Sequence, residues 1–273
     1  MTIENLDLEY SAEELRDFIE KAVAQQGTQN HPRFYAITGS HIYGFDSAES
    51  DIDVRGLHLT PAEEYAYLET PAEEVTVNMD GTTEGFEAFP EVDLRSYELK
   101  KFGSLLAKAN YNIIELIFDA PTVMNGMPLE MDALHALIRE HLPLNVPHAY
   151  LGMAKSNYYK HLDPEKAEGY SPVAKKYLYV YRGLLGAQYV VECEDIEADI
   201  FELAEAVDGG DPALVEDLVN HKRTSDEAFV PDDLKERART AIQEQFNALD
   251  SFPDPDKTVY RAAIDDWMRK VRA

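Results

Sequence analysis

The chain has little cysteine and no long apolar run. Cys193 is its single cysteine, so no disulfide can form within one molecule, which favours a reducing compartment. No apolar stretch approaches the roughly 18 residues that suggest a membrane span. The first residues also lack the basic and apolar pattern of a secretory signal. We therefore expect a cytoplasmic protein that is not embedded in a membrane.

Basic side chains are scarce: Lys and Arg number 25 against 52 Asp and Glu, and the formal net charge is −27. Disorder is a poor explanation, because 45% of the residues are hydrophobic. Acidic surfaces with few lysines are typical of proteins from salt-rich cytoplasms, where ions screen the self-repulsion. We hypothesise a halophilic, archaeal source. The alternative is an acidic mesophilic protein.

Two segments depart from this acidity. Residues 155–182 hold six basic and three acidic side chains, and residues 95–112 hold four basic and one acidic side chain. Each segment is therefore net +3 in a strongly negative chain. This pattern favours anionic ligands, and chance clustering of a few lysines is the alternative.

A Gly-Ser turn and two alternating aspartates form the most informative motif. Gly39 and Ser40 precede an expected short helix, and Asp51 and Asp53 follow at the start of an apolar strand. Alternate residues of a strand share a face, so the two carboxylates repel each other unless a cation lies between them. Hard oxygen ligands of this kind suit Mg²⁺. Gly39 allows close backbone approach, and the N–H groups of a helix beginning at Ser40 would favour phosphate.

Hydrophobic periodicity separates the chain into two parts. Strands and helices alternate in the first part, whose first helix opens with a capping box at Ser11 and Glu14. Strand-like runs end at Pro121, and helical periodicity dominates after it. Helices are expected at residues 11–26, 40–45, 98–108, 112–118, 128–141, 147–161, 171–193, 199–207, 212–223, 232–250 and 257–271. Strands are expected at residues 33–38, 51–59, 74–78 and 86–97. Turns are expected at Asp80-Gly81 and at Pro253-Asp254-Pro255.

These motifs resemble the nucleotidyltransferase superfamily of the DNA polymerase β type. Its signature is a Gly-Ser turn, an Asp-x-Asp about ten residues later, and a third carboxylate on a neighbouring strand, for which Asp93 is the candidate. The chain is also similar to predicted nucleotidyltransferases linked with RNA repair, loosely over residues 34–190. Residues 97–102, 110–116 and 175–182 carry this second likeness.

The resemblance implies an α+β protein with a polymerase-β-like core at residues 1–120, built on a small mixed sheet, and an all-helical domain at residues 121–273. We expect the active cleft between them. The resemblance also implies two Mg²⁺ ions, or Mn²⁺, bound by Asp51, Asp53 and Asp93. It implies that Gly39 and Ser40 bind the phosphates of an NTP such as ATP.

The helix expected at residues 171–193 offers further nucleotide-binding candidates. Lys175, Tyr179 and Arg182 lie on one face at positions i, i+4 and i+7. A cation there could neutralise triphosphate charge, and a tyrosine could stack on a base. The alternative is that the tyrosine packs in the core and the lysine is solvated.

The interpretation is transfer of a nucleoside monophosphate from an NTP to a hydroxyl, with an RNA end as the acceptor and an RNA ligase as a possible partner. A second interpretation keeps the chemistry and makes a protein or small molecule the acceptor, as in antitoxin-like or antibiotic-modifying relatives. A third is a nucleotide-binding protein without catalysis. No oligomeric state follows from the sequence.

Overall fold

The computed structural model describes residues 3, 6, 8–25, 30–47, 50–77, 84–89, 91–167, 169–224, 228–249 and 257–272. The chain divides into two compact units. The first comprises Met1–Ile42, Ser50–Leu137 and Thr258–Ala273, and the second comprises Tyr43–Glu49 and Ile138–Lys257. The predicted turns at Asp80-Gly81 and at Pro253-Asp254-Pro255 lie outside the described residues.

One five-stranded mixed sheet occupies the N-terminal half of the chain. Its strands are β1 (His31–Thr38), β2 (Ile52–Leu59), β3 (Glu74–Val77), β4 (Val92–Glu98) and β5 (Thr122–Asn125). The spatial order is β3-β4-β2-β1-β5. β2 and β4 are parallel, and the other neighbouring pairs are antiparallel.

Helices make up most of the remaining described residues. They are α1 (Ala12–Gln25), α2 (Leu99–Leu106), α3 (Tyr111–Phe118), α4 (Pro128–Asn157), α5 (Ala174–Cys193), α6 (Ile200–Ala206), α7 (Pro212–Thr224), α8 (Asp232–Ala248) and α9 (Lys257–Arg272). With the sheet in the N-terminal half and a helical C-terminal region, the predicted α+β class is confirmed. None of the helices in the described ranges is long and apolar enough to cross a membrane.

The predicted capping box opens α1. The Glu14 carboxylate accepts hydrogen bonds from the Ser11 amide (2.8 Å) and hydroxyl (2.7 Å), and the Glu14 amide donates to the Ser11 hydroxyl. These bonds satisfy donors that the first turn of a helix leaves unpaired. The apolar face of α1 then packs on the sheet, with Leu15, Phe18 and Ile19 at most 1% exposed.

A buried polar network crosses the middle of the sheet. The Ser96 hydroxyl on β4 lies 2.5 Å from the Tyr35 hydroxyl on β1 and 2.7 Å from His58 Nδ1 on β2. The three residues are fully buried. Gly56 leaves room for the Tyr35 ring, because a β-carbon there would lie 2.4 Å from Tyr35 Cδ1.

The last helix of the first unit is attached by ionic and polar contacts. Arg272 of α9 pairs with the buried carboxylate of Glu98 at 2.5 Å and donates to the Thr60 carbonyl at 3.0 Å. Glu98 also caps α2 by accepting from the Lys100 amide at 2.7 Å. A buried carboxylate needs such partners, since an unpaired charge in the interior is costly.

The prediction that strands end at Pro121 is wrong. Residues 122–125 form β5, which pairs with β1 through Phe34 opposite Asn125 and Tyr35 opposite Met124. Four residues at a sheet edge are too few to show an alternating pattern. Their pairing depends on β1, which is far away in the sequence.

The two predicted helices on either side of Pro143 are one continuous helix, α4. A proline inside a helix removes a hydrogen bond and costs about 3 kcal/mol. The helix nevertheless continues, because Leu142, Val146 and Tyr150 are at most 1% exposed. Burial of each such side chain contributes about 1.5–3 kcal/mol. The three together are comparable in size with the cost of Pro143 and of Pro147, which also lies inside α4.

Helix α5 forms the centre of the second unit. Its buried residues, including Leu178, Val180, Tyr181 and Gly183, lie on all sides of the helix. A helix that is apolar all round is a core helix. Helices α6, α7 and α8 pack around it.

Candidate active site

The sheet places Asp53 and Asp93 side by side. The two residues are paired partners on the parallel strands β2 and β4, and both are half-buried. Paired residues of parallel strands point to the same face, so both carboxylates lie on one side of the sheet. The flanking side chains, among them Val54 and Leu94, are buried on the other side. Alternation thus separates a carboxylate face from the apolar core.

The Gly39 backbone lies directly against the Asp53 carboxylate. Thr38 pairs with Asp53 at the end of β1, and the next residue, Gly39, has a φ of +74°. A β-carbon at Gly39 would lie 2.0 Å from Asp53 Oδ2. Only glycine fits here, because both the left-handed backbone and the contact distance exclude a side chain.

Arg55 orients the Asp53 carboxylate from its own strand. Its Nη2 donates to Asp53 Oδ1 at 3.1 Å, and its Nε donates to the Thr38 hydroxyl at 3.2 Å. Arg55 lies two residues after Asp53 and therefore shares its face. Sequence reasoning missed this residue, although the i, i+2 spacing on the strand was a usable signal.

The Asp93 carboxyl is half-buried beside the negative charge of Asp53. Burial raises the pKa of Asp93 above its ordinary value, and the negative charge of Asp53 adds to the rise. The positive charges of Arg95 and Arg55 oppose it. A cation between the two carboxylates would relieve their repulsion.

Asp51 is not part of this strand pairing. It lies immediately before β2 and is half-buried. Across the described ranges, no three His, Cys, Asp or Glu side chains come together as a metal-binding group. Mg²⁺ is commonly held by one or two carboxylates together with substrate phosphates and water. The oxygen donors of Asp53 and Asp93 therefore fit Mg²⁺, and the role of Asp51 stays a prediction.

The prediction of a helix at residues 40–45 is wrong in its length. The structure has a single 3₁₀ turn, Gly39–His41, closed by the Ile42 amide donating to the Gly39 carbonyl at 3.1 Å. Gly44 has a φ of +78°, which does not continue a right-handed helix. Ser40 is half-buried in the turn. Its predicted phosphate contact thus depends on turn amides and the hydroxyl, since no longer helix supports it.

The nucleotide-binding candidates of α5 belong to the second unit. Lys175 is half-buried. Tyr179 makes edge-to-face contacts with Tyr43 (6.0 Å between centroids) and Phe45 (5.4 Å). Arg182 is fully buried, and its guanidinium lies 3.6 Å from the centroid of the Tyr43 ring. Nucleotide binding by these residues stays a prediction, and the burial of Arg182 favours a role in holding Tyr43.

The segment after the Gly39–Ser40 turn is held within the second unit. The Ile200 amide donates to the Tyr43 carbonyl at 3.1 Å. The Asp199 carboxylate, which caps α6, lies so close to Gly44 that a β-carbon there would be 2.7 Å from Oδ2. Each contact involves backbone atoms, so the path of the segment is closely determined.

Two cations of α7 hold the end of the same segment. Arg223 Nε donates to the Asp46 carbonyl at 3.1 Å, and the buried Lys222 donates to the Ser47 hydroxyl at 3.2 Å. In the sequence, this segment lies between the Gly-Ser turn and the Asp-x-Asp motif. The spacing of the motif thus includes residues that belong to the helical unit.

Comparisons with known proteins identify the family. The model of the RNA repair pathway DNA polymerase beta family (RlaP) matches residues 13–270. The chain therefore belongs to this family of DNA polymerase β-like nucleotidyltransferases linked to RNA repair. A comparison with curated proteins finds no match.

Among solved structures, the chain is similar to a nucleotidyltransferase-like protein from Exiguobacterium sibiricum 255-15. The identity is 9%, the alignment covers 95% of this chain and 74% of that chain, and the TM-score is 0.30.

Proposed function

We propose that the chain transfers a nucleoside monophosphate from an NTP to a hydroxyl group at an RNA end, with Mg²⁺ as cofactor. The observation that carries this proposal is the pairing of Asp53 with Asp93, with the Gly39 backbone against Asp53. Membership of a nucleotidyltransferase family linked to RNA repair supports the reaction class and the RNA acceptor.

The reaction is an in-line displacement. The acceptor hydroxyl oxygen forms a bond to the α-phosphorus, the bond from that phosphorus to its bridging oxygen breaks, and pyrophosphate leaves. Bound Mg²⁺, as one or two ions, would neutralise the phosphate oxygens and activate the hydroxyl, and Mn²⁺ could replace it.

The chain's own carboxylates hold the cofactor and receive the proton. Asp53 and Asp93 would supply oxygen ligands from neighbouring strands, and Asp51 would add a further ligand from the residue before β2. Asp93 would also take up the proton of the acceptor hydroxyl. Gly39 and Ser40 would hold the leaving phosphates with backbone amides and a hydroxyl.

On α5, we propose that Lys175 neutralises triphosphate charge and that Tyr179 stacks on the base. Arg182 would act through Tyr43, because its guanidinium covers that ring and its side chain has no exposed surface.

A second candidate function keeps the carboxylate chemistry and changes the acceptor to a protein or a small molecule. The formal charge of −27 favours it, because a strongly negative surface repels polyanions at low salt. A nucleotide-binding protein without catalysis is a third candidate, and the retained pair of Asp53 and Asp93 argues against it.

Label transfer tests these alternatives. The protein in high KCl with Mg²⁺ or Mn²⁺ would receive each α-labelled NTP, with and without a pool of cellular RNA. We expect label in RNA, and a loss of about 100-fold or more in Asp53→Asn and Asp93→Asn. Asp265→Asn is the matched control, since Asp265 is an exposed acid of the same unit.

The destination of the label distinguishes the candidate functions. Label on protein or on a small molecule would favour the second function. Transfer that survives both Asp53→Asn and Asp93→Asn would overturn the assignment of the site.

A further inference from the structure

An exposed patch of aromatic and basic side chains follows the end of α4 in the second unit. The chain there forms a π-helical turn, Tyr158–Leu162. π-Helical turns are rare and are frequent at functional sites. Tyr159 is 49% exposed, Tyr170 is 42% exposed, and Lys160 and Lys166 are also exposed. We call these four residues the Tyr159–Tyr170 patch.

Packing holds one of the exposed rings in place. Tyr158 contacts Tyr159 edge-on at 5.6 Å between centroids, and Tyr158 in turn packs edge-on against Phe246 at 5.6 Å. The Lys166 ammonium lies 5.1 Å from the centroid of the Tyr159 ring. Stacking platforms for nucleic acid combine exposed aromatic rings with nearby cations, and here an anchored, half-exposed ring has a lysine ammonium over one face.

The loop that carries the patch is closed by its own hydrogen bonds. Asp163 Oδ1 accepts from the amides of Glu165 (2.9 Å) and Lys166 (3.2 Å). The Ser171 amide donates to the His161 carbonyl at 2.9 Å, which brings the neighbouring Tyr170 to the π-helical turn. A preformed surface of this kind binds with a smaller entropic cost than a loop that must first be ordered.

Positive charge gathers at the same place. Burial lowers the pKa of His161, and the charges of Lys176 and Lys160 lower it further, so these cations lie near its ring. Residues 155–182 hold six basic side chains, of which Arg182 is fully buried, against three acidic ones in a chain of formal charge −27. A local excess of cations against that background favours an anionic partner.

We propose that the Tyr159–Tyr170 patch binds single-stranded RNA, with bases stacked on Tyr159 and Tyr170 and phosphates at Lys160 and Lys166. Exposed aromatic rings favour a ligand with unpaired bases over a ligand that offers phosphate alone. This inference rests on the proposed function, for which the patch would hold the RNA acceptor.

Fluorescence anisotropy with a fluorescein-labelled oligouridylate of about ten nucleotides tests the stacking contacts, without NTP or divalent metal. We expect Tyr159→Ala and Tyr170→Ala each to weaken binding about fivefold or more, and Tyr159→Phe to bind like the wild type. Tyr67→Ala is the control, because Tyr67 is 67% exposed but belongs to the first unit, and it should not change binding.

The salt dependence of the same binding tests the phosphate contacts. Each phosphate contact contributes about 0.7 to the slope of log K against log salt for a single strand. Lys160→Ala and Lys166→Ala should each lower the slope by about that amount. Lys270→Ala should leave it unchanged, because Lys270 is exposed on α9 and lies outside both basic segments of the sequence. Wild-type affinity in both alanine variants of the tyrosines, or loss of binding in Tyr159→Phe, would overturn the proposal.

Asp53→Asn separates this inference from the proposed function. The variant should lose label transfer and bind the oligouridylate as tightly as the wild type. If the wild type labels RNA and the patch variants bind and label it equally well, RNA binding by the patch is wrong and the proposed transfer to RNA is retained. If the oligouridylate binds through the patch but no label enters RNA, the proposed transfer to RNA is wrong and RNA binding by the patch is retained.

Discussion

Gly39 and Asp53 are in direct contact: the site that a β-carbon of Gly39 would occupy lies 2.0 Å from Asp53 Oδ2. The contact joins the end of β1 to the carboxylate that faces Asp93 across the parallel strands. A backbone this close to a carboxylate leaves no room for any other residue. The Gly-Ser turn and the Asp-x-Asp motif are therefore two parts of one packed arrangement.

Gly39→Ala should disrupt this arrangement. The new methyl group would displace the Asp53 carboxylate, and the φ of +74° would cost a further 1–2 kcal/mol or so. We expect transfer to fall by more than about tenfold and the free energy of unfolding to fall by at least about 1 kcal/mol.

Gly152→Ala is the matched control. Gly152 is exposed on α4 and a β-carbon there meets no atom within 4 Å. Alanine should be neutral or stabilising at this position, since it has the higher helix propensity. Label transfer and chemical denaturation measure both effects. Equal activity in the two variants would contradict the packing argument.

Arg55 should matter through Asp53. Arg55→Gln removes the donor to Asp53 Oδ1 and leaves the carboxylate free to rotate. Loss of a residue that orients a metal ligand typically costs about 10- to 100-fold in activity or metal affinity. We expect a higher Mg²⁺ concentration at half-maximal transfer, measured by titration of the metal.

Arg269→Gln provides the comparison for Arg55. Arg269 belongs to the same unit, but its side chain is 79% exposed on α9 and pairs with Asp266 at 3.1 Å. Its loss should leave the Mg²⁺ midpoint unchanged. An Arg55→Gln midpoint equal to that of the wild type would argue against the orienting role.

The central part of the fold could be predicted from local pattern. Asp53 and Asp93 lie in short runs in which apolar and polar residues alternate, and such runs predict strands with one buried face. The capping box at Ser11 and Glu14 is likewise a local signal, and the structure forms it. The register that pairs Asp53 with Asp93 is not local, and the likeness to a family predicted only that Asp93 lies on a neighbouring strand.

The failures of sequence reasoning concern contacts that are distant in the chain. β5 forms by hydrogen bonding to β1, and its four residues show no alternation of apolar and polar side chains that would predict a strand. α4 continues past Pro143 because distant residues bury its apolar side chains. The role of Arg55 depends on its strand neighbour Thr38, which is 17 positions earlier in the sequence.

Arg182 should stabilise the second unit. Its guanidinium lies on the Tyr43 ring in a fully buried position. Such a desolvated cation–π contact is worth about 2 kcal/mol, and lysine cannot reproduce the planar stacking. Arg182→Lys should therefore lower the free energy of unfolding by about that amount, as measured by denaturant titration.

The same variant tests the alternative that Arg182 binds the nucleotide. A ligand-binding role would raise the KM for NTP and leave the unfolding midpoint unchanged. Arg269→Lys is the control for the exchange itself, because the side chain of Arg269 is 79% exposed. It should change neither quantity.

The acidic composition predicts a requirement for salt. With a formal charge of −27, self-repulsion at low ionic strength opposes the compact state. Molar KCl shortens the screening length to about 3 Å and removes most of this repulsion. We expect the thermal unfolding midpoint to fall steeply as KCl is lowered below about 1 M. A midpoint that is insensitive to KCl would remove the halophile hypothesis.

His58 should make stability depend on pH. Burial lowers the pKa of its imidazole to about 4, and the negative charge of Glu98 only partly opposes the effect. The unfolded chain protonates His58 below about pH 6.5, whereas the folded chain stays neutral until about pH 4. The unfolded state thus binds the extra proton between these values, and stability is lost as pH falls through this window.

The expected loss from His58 is about 3 kcal/mol across the window, following from about 1.4 kcal/mol for each pH unit. His58→Asn can keep a polar contact with the Ser96 hydroxyl and cannot take up a proton. The difference in unfolding free energy between wild type and variant should therefore change by about that amount between pH 7 and pH 4. Carboxylates that titrate in the same range are common to both proteins and cancel in the difference. Parallel pH profiles would show that the imidazole takes up its proton at the same pH in the folded and unfolded states, which contradicts the effect of its burial beside Ser96.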